Sequence, residues 1–217
     1  DRSLLHLFQL SLQTMSQLVT SALGPISPPQ DVRLREQALK LTLGCLSYDF
    51  IGTSIDESTE DVGTVQIPSN WRPIIEDEST LTVLMQAYHT SPTPLSAQAM
   101  ECLSQLASVR RSLFPNNETR QAFLSRLMAG VLAILRTRQG LAEECNFHEF
   151  CRLLSRIKSN FQLSEMVKCE GYSELISQIA AFTVQSLRTC PTVANSVFYI
   201  LQLWSRMVTS VAYLRGE

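Results

Sequence analysis

Along most of this chain apolar residues return every three or four positions, the spacing that gathers them on one face of an α-helix. Leu4, Leu7, Phe8, Met15, Leu18 and Val19 form the first stripe, within residues 3–23, and Gly24-Pro25 ends it. Asp31 opens a second helix through Leu34, Ala38, Leu41 and Cys45. A third, capped from residues 77–79, carries Leu81, Leu84, Met85 and Tyr88. In a fourth, Thr93 is the expected N-cap and Pro94 the first helical residue, ahead of Ala99, Met100, Leu103, Leu106 and Ala107. Residues 115–117 cap a fifth, whose stripe is Leu124, Leu127, Met128, Val131, Leu132 and Leu135. Arg136 and Arg138 complement its C-terminal dipole and Gly140 ends it. The sixth, over 144–160, turns Phe147, Phe150, Cys151, Leu154, Ile157 and Phe161 inward. The seventh follows Gly171 and buries Leu175, Ile176, Ile179, Ala180 and Leu187. Beyond Pro191 the eighth presents Val197, Leu201, Trp204, Val208 and Val211, leaving Tyr199, Leu203 and Met207 as a second apolar face for a further repeat.

Short turns join these eight helices into pairs near 1–47, 78–111, 116–161 and 171–214, starting at intervals of roughly 40–55 residues once the interruption between the second and third helices is allowed for, a period that resembles HEAT and armadillo arrays. A helix burying five or six large side chains gains about 10–15 kcal/mol, whereas ordering its backbone costs on the order of 15–30 kcal/mol. One hairpin alone does not balance, so hairpins must stack. The expected fold is all-α: a HEAT-like helical-hairpin solenoid, an α-α superhelix of about four hairpins, forming one array over residues 1–217.

The pattern stops between the second and third helices. Residues 48–77 read as an acidic insertion, and residues 48–80 hold eight acids against Arg72, a local charge of −7 within a chain of net −2, so the remainder sums to +5. Asp56, Glu57, Glu60 and Asp61 are the densest part, in a Ser/Thr-rich setting that also makes Thr53, Ser54, Ser58 and Thr59 candidate phosphorylation sites. Residues 62–68 alternate apolar side chains and are expected to lie extended against the helices, with Trp71 pinning the end of the insertion to the scaffold. The opposite charge is represented by Arg110 and Arg111, after the fourth helix. These six charged residues are the candidate partner-binding positions.

Composition narrows the class. With 45% hydrophobic and 18% charged residues the chain can bury a sizeable core, and its longest apolar runs fall far short of the roughly twenty residues that span a bilayer. A pI near 6.0 argues against nucleic acid as the main partner. Six scattered cysteines fit reduced thiols. Asp1 opens almost directly onto a helical pattern without an initiator Met, the expectation for a segment of a longer protein.

Enzymatic chemistry is not visible. Cys145, His148 and Cys151 have metal-like spacing, but on one helix the two thiols stand about 9 Å apart along the axis, too far for one ion. His6 and His89 are isolated, the eight glycines are dispersed and build no phosphate loop, and Glu57, Glu60 and Asp61 read as a solvated segment rather than a catalytic pair. No enzyme activity and no cofactor are expected.

Several strings are unusual in a helical repeat: Asp49-Phe50-Ile51-Gly52-Thr53-Ser54, Thr64-Val65-Gln66-Ile67-Pro68, Ala107-Ser108-Val109-Arg110-Arg111-Ser112-Leu113-Phe114 and His148-Glu149-Phe150-Cys151-Arg152-Leu153-Leu154. With these the chain resembles, from about Leu41 to Tyr213, a segment of the N-terminal half of an exportin of the importin-β (karyopherin) superfamily. The resemblance implies a HEAT-repeat transport receptor that binds Ran in its GTP form, protein cargo and nucleoporins. It further implies passage between nucleus and cytoplasm through the nuclear pore complex, without nucleic-acid binding or membrane insertion. The rival expectation is a HEAT-repeat structural scaffold or regulatory subunit in a cytoplasmic assembly.

Overall fold

Helix formation follows the apolar spacing nearly throughout. The computed structural model describes residues 2–21, 29–50, 64–189 and 194–210. Among these lie ten helices: α1 (Arg2–Ser21), α2 (Pro29–Leu46), α3 (Arg72–Glu76), α4 (Glu78–Thr90), α5 (Leu95–Ala107), α6 (Asn117–Thr137), α7 (Glu144–Asn160), α8 (Leu163–Met166), α9 (Tyr172–Thr189) and α10 (Ala194–Ser210). The fold is all-α, as the spacing requires.

The long helices form two layers. In one, α1 packs on α4, α4 on α6 and α6 on α9; in the other, α2 packs on α5, α5 on α7 and α7 on α10. The layers meet through α1 on α2, α4 on α5 and α9 on α10, and Phe123, Leu127, Val131, Phe150, Leu154 and Ile157 carry the same core through α6 and α7. Each helix therefore touches its predecessor and successor within its layer, the arrangement of a stacked array.

Caps set where helices begin. Asp77 Oδ1 accepts from the Ser79 N–H at 2.8 Å at the start of α4, and Asn116 Oδ1 accepts from the Thr119 N–H at 2.8 Å at the start of α6. At its far end α6 closes through Arg138 in the left-handed region, φ 56°, with its N–H on Ile134 O. Arg138 then lays its guanidinium over the Phe182 ring of α9, 5.1 Å from the centroid, while Arg136 pairs with Glu174. Arg138 is thus the terminator of α6 rather than a last-turn cation. Gly140, φ +74°, follows, and a Cβ there would stand 2.9 Å from both Tyr88 Oη and Asn146 Nδ2.

Several expectations need correction. In α10 the buried stripe is Ile200, Leu203 and Met207, while Leu201 and Val208 are 50% and 71% exposed, so the expected primary stripe is largely the outer face. Trp204 is half-buried and donates to Thr183 Oγ1 of α9; Val211 lies outside the described residues. Leu187 of α9 and Leu34 of α2 are exposed, and Leu7 of α1 is partly so, because each points away from the neighbouring helix. Thr93 does not cap α5: the helix begins at Leu95, after a cis Thr93-Pro94 bond, and the Thr93 hydroxyl accepts from Asn146 Nδ2 instead. Residues 69–76, inside the span expected to be non-helical, form a 3-10 turn and α3. Trp71 and Ile75 supply the reason, since both are fully buried.

Two buried arginines tie elements together. Arg35 of α2 donates to Leu18 O at the end of α1 and to Thr90 O at the end of α4. Arg120 of α6 donates to Glu165 Oε1 at 2.9 Å and to Asn160 O at 2.7 Å, its guanidinium 4.2 Å from the Phe161 ring centroid. Removing such a cation from water is costly unless its donors are met; those that are met draw the ends of α1, α4 and α7 together, while Arg35 Nε and Arg120 Nη1 are buried with no hydrogen-bond partner among the described residues.

Candidate partner-binding surface

After α5 ends at Ala107 the chain enters a short extended run before the 3-10 turn at Arg111–Leu113. Val109 and Leu113 are buried, so the intervening Arg110, Arg111 and Ser112 face outward. The run is clamped on two sides. Val65 bridges Val109 in parallel fashion, with the Val65 N–H on Ser108 O at 2.9 Å and the Arg110 N–H on Val65 O at 3.2 Å. From the other side Asn160, at the end of α7, donates both amide hydrogens, to Ala107 O and Val109 O, each at 2.8 Å. The extended lie of 64–68 against the helices is therefore observed for those residues, and the two exposed guanidiniums stand on a fixed backbone.

Arg111 donates to Asn117 Oδ1 and Arg110 Nε lies 3.5 Å from Thr64 Oγ1. Arg111, Ser112, Phe114 and Asn116 line a shallow hollow of about 450 Å³ at the start of α6. A guanidinium presents five donors in a planar fork suited to carboxylate or phosphate. The arrangement is suited to meeting an anionic surface. Asp56, Glu57, Glu60 and Asp61, like Thr53, Ser54, Ser58 and Thr59, lie outside the described residues; Thr64, the first described residue after them, is the one beside Arg110.

The former metal candidates are dispersed. Cys145 is exposed, Cys151 is fully buried in the core, and His148 Nδ1 sits 2.9 Å from Ser196 Oγ. His89 pairs with Gln139. Among the described residues no three His, Cys, Asp or Glu side chains stand close enough to hold a metal ion. Burial pushes the Cys102, Cys45 and Cys169 thiols up, away from the thiolate form that reacts.

Sequence reasoning missed a second surface. Glu101 of α5 and Glu143, Glu144 and Glu149 at the start of α7 line one groove. Glu101 stands more than forty positions before the other three, and only the packing of α5 on α7 unites them.

No protein-family model matches the chain. It is 48% identical over 216 residues to exportin-7-A of Xenopus laevis, covering 100% of this chain and 20% of that protein. It is 49% identical over 183 residues to Ran-binding protein 16 of Drosophila melanogaster, covering 84% of this chain and 17% of the relative. To Ran-binding protein 17 of Homo sapiens it is 49% identical over 180 residues, 83% of this chain and 16% of the relative. The chain thus spans about a fifth of the length of the curated relatives it matches. An identity of this size over the whole chain, with the all-α array beneath it, makes the chain a homologue of a segment of exportin-7 and of Ran-binding proteins 16 and 17, and it belongs to their family.

Proposed function

We propose that this chain is a segment of a nuclear transport receptor, an exportin, that binds Ran in its GTP form and protein cargo and meets nucleoporins while crossing the nuclear pore complex between nucleus and cytoplasm. The observation that carries the reading is the 48% identity across the full chain to a protein named for export. The names of the Ran-binding relatives support Ran as a partner. A two-layer helical array suits such work, because stacked repeats offer long surfaces without a closed active site.

Within this reading Arg110 and Arg111, with Asp56, Glu57, Glu60 and Asp61, contribute to Ran or cargo selection by charge. Exposed charges of this kind govern encounter rate and partner choice more than total affinity. Reversing the four acids, and separately the two arginines, in a chain of the relatives' full length should change Ran or cargo affinity and its salt dependence. Unchanged values for both partners would remove these residues from the site.

The function itself is tested by titrating Ran loaded with GTP and with GDP against the longer chain, then against these 217 residues. A strong GTP preference in the longer chain supports the transport reading, and its loss in the shorter one assigns the contact to other repeats. No preference in either overturns it and leaves a HEAT-repeat scaffold or regulatory subunit of a cytoplasmic assembly.

A further inference from the structure

The carboxy-terminal halves of α5, α7 and α10, with the turn after α5, form an edge of one sign. Residues 102–114, 153–160 and 200–210 hold Arg110, Arg111, Arg156, Lys158 and Arg206 and not one Asp or Glu, in a chain of net charge −2. Packing brings the three stretches together. Asn160, the last residue of α7, donates to Ala107 O and Val109 O, which sets Arg110 beside the α7 terminus. Toward α10, His148 Nδ1 lies 2.9 Å from Ser196 Oγ and Ser155 Oγ donates to Gln202 Oε1 at 2.6 Å, so α7 and α10 run parallel in a fixed register. Continued by one turn, that register sets Lys158 and Arg206 at the same level on facing helices.

Lys158 is the decisive residue. It is only 7% exposed, yet among the described residues nothing accepts a hydrogen bond from its Nζ and no carboxylate pairs with it. The Nζ is not among the polar atoms sealed from water without a partner, so it opens outward. Arg206, half-buried on α10, likewise has no ion pair among the described residues. Buried lysines are ordinarily paired, whereas this one has a second cation for a neighbour. Burial and then the Arg206 charge push the Lys158 ammonium below its ordinary pKa, both marks of an uncompensated cation. The ends of α5, α7 and α10 each contribute roughly half a negative charge, which offsets only part of five cations.

An incoming carboxylate reverses this balance, because it compensates the ammonium and shields it from Arg206. Neighbouring helices of a layer stand about 8–10 Å apart, so Arg110, Lys158 and Arg206 are spread over about 20 Å. One small anion does not cover that span, whereas about six extended residues do, at about 3.3 Å each.

We infer that this edge docks an acidic segment of a protein partner, an extended run of spaced aspartates or glutamates whose carboxylates lie on Arg110, Lys158 and Arg206. The inference rests on the proposed function for the Arg110–Arg111 surface alone. Lys158 and Arg206 are additions to it, and the test involves neither Ran nor cargo, so the two can fail separately.

The probe is a fluorescein-labelled heptapeptide of alternating glutamate and glycine, with a glutamine version of identical length as the neutral control, titrated with the 217-residue chain. Anisotropy should show salt-sensitive binding of the glutamate peptide alone. Lys158→Met with Arg206→Gln should weaken binding about tenfold, and Arg206→Gln alone, at a half-buried position outside the core, about threefold. Arg33→Gln with Arg188→Gln, exposed cations elsewhere, should leave it unchanged. The lysines of the chain are Lys40, Lys158 and Lys168, so reductive methylation with isotope-labelled formaldehyde, which keeps the charge, gives Lys158 its own NMR signal. The glutamate peptide should move that signal and leave the Lys40 signal in place. Four results overturn the inference: no binding of the glutamate peptide, equal affinity in the two double variants, an unmoved Lys158 signal at saturation, or tighter binding of an oligouridylate of equal charge. The last would assign the edge to nucleic acid instead.

Discussion

Trp71 is the sharpest place to test how the 64–76 segment is held. Its ring is fully buried, 5.1 Å from the Phe8 ring of α1 and 5.5 Å from that of Phe50, and its indole N–H has no acceptor among the described residues. A fully buried indole hides roughly 200 Å², which at about 25 cal/mol per Å² is about 5 kcal/mol. Against this stands the unmet N–H, which costs about 1–3 kcal/mol in the native protein and disappears with the ring. Trp71→Ala should therefore cost about 2–4 kcal/mol, overlapping the range measured for large aromatic truncations. Trp71→Phe keeps most of the packing and removes the orphan donor, so it should fall within about 1.5 kcal/mol of the parent. Urea titration followed by far-UV circular dichroism gives both numbers, because the readout does not depend on the tryptophan removed. Amide exchange should show the loss concentrated in α1, α3 and α4, with α9 and α10 little changed, since repeats feel mainly their neighbours. A Trp71→Ala cost below about 1 kcal/mol, or a Phe variant as damaged as the Ala variant, would refute the pinning argument.

Arg120→Ala removes the donor on Glu165 Oε1 and on Asn160 O and should cost about 3–5 kcal/mol, seen as a fall in Tm of about 10 °C; Arg120→Lys, lacking the planar fork over Phe161, should recover less than half of it. Asn160→Ala removes two donors from buried carbonyls and should cost about 2 kcal/mol, with faster amide exchange at Val109 and Arg110 as the local sign. The Asp77 carboxyl is held below its ordinary value by the hydrogen bonds from Ser79, so its contribution is present above the ordinary carboxylate pKa and lost as pH falls through the depressed folded value. Asp77→Ala should thus cost about 1 kcal/mol at neutral pH and nothing measurable near pH 2, as paired thermal melts at the two pH values would show.

Long stripes with clear caps were legible. Asn116 and Asp77 were readable as caps because Asn and Asp before an apolar period have few other uses. The α10 stripe was misread for a physical reason: Val197, Phe198, Tyr199, Ile200, Leu201, Leu203, Trp204, Met207 and Val208 circle the helix, so its period admits two faces, and only the positions of α7 and α9 choose Ile200, Leu203 and Met207. The short α3 and α8 hold too few residues to display a period, although Gln162 and Glu165 form a capping box that signals the start of α8. The Arg110–Arg111 pair was visible as a charged string, yet its clamping by Val65 and Asn160 was not, since those residues lie more than forty positions away on either side. Glu101 and Glu149 meet for the same long-range reason.

The segment from Thr64 to Glu76 also sets how the array can bend. A stack joined only between neighbours flexes at every joint alike, as a row of slats does. Here one strip touches α1 through Trp71, the end of α5 through Val65, the turn before α6 through Arg72 on Leu113 O, and α6 itself through Glu76 O and Arg126. It works as a batten across two consecutive joints, from α1 to α6. Curvature imposed by a partner would then be taken up beyond α6, where α9 and α10 lean on α6 and α7 with no strip across them among the described residues. Bending compliance is thereby written unevenly along the array: stiff where the batten runs, and yielding toward α10.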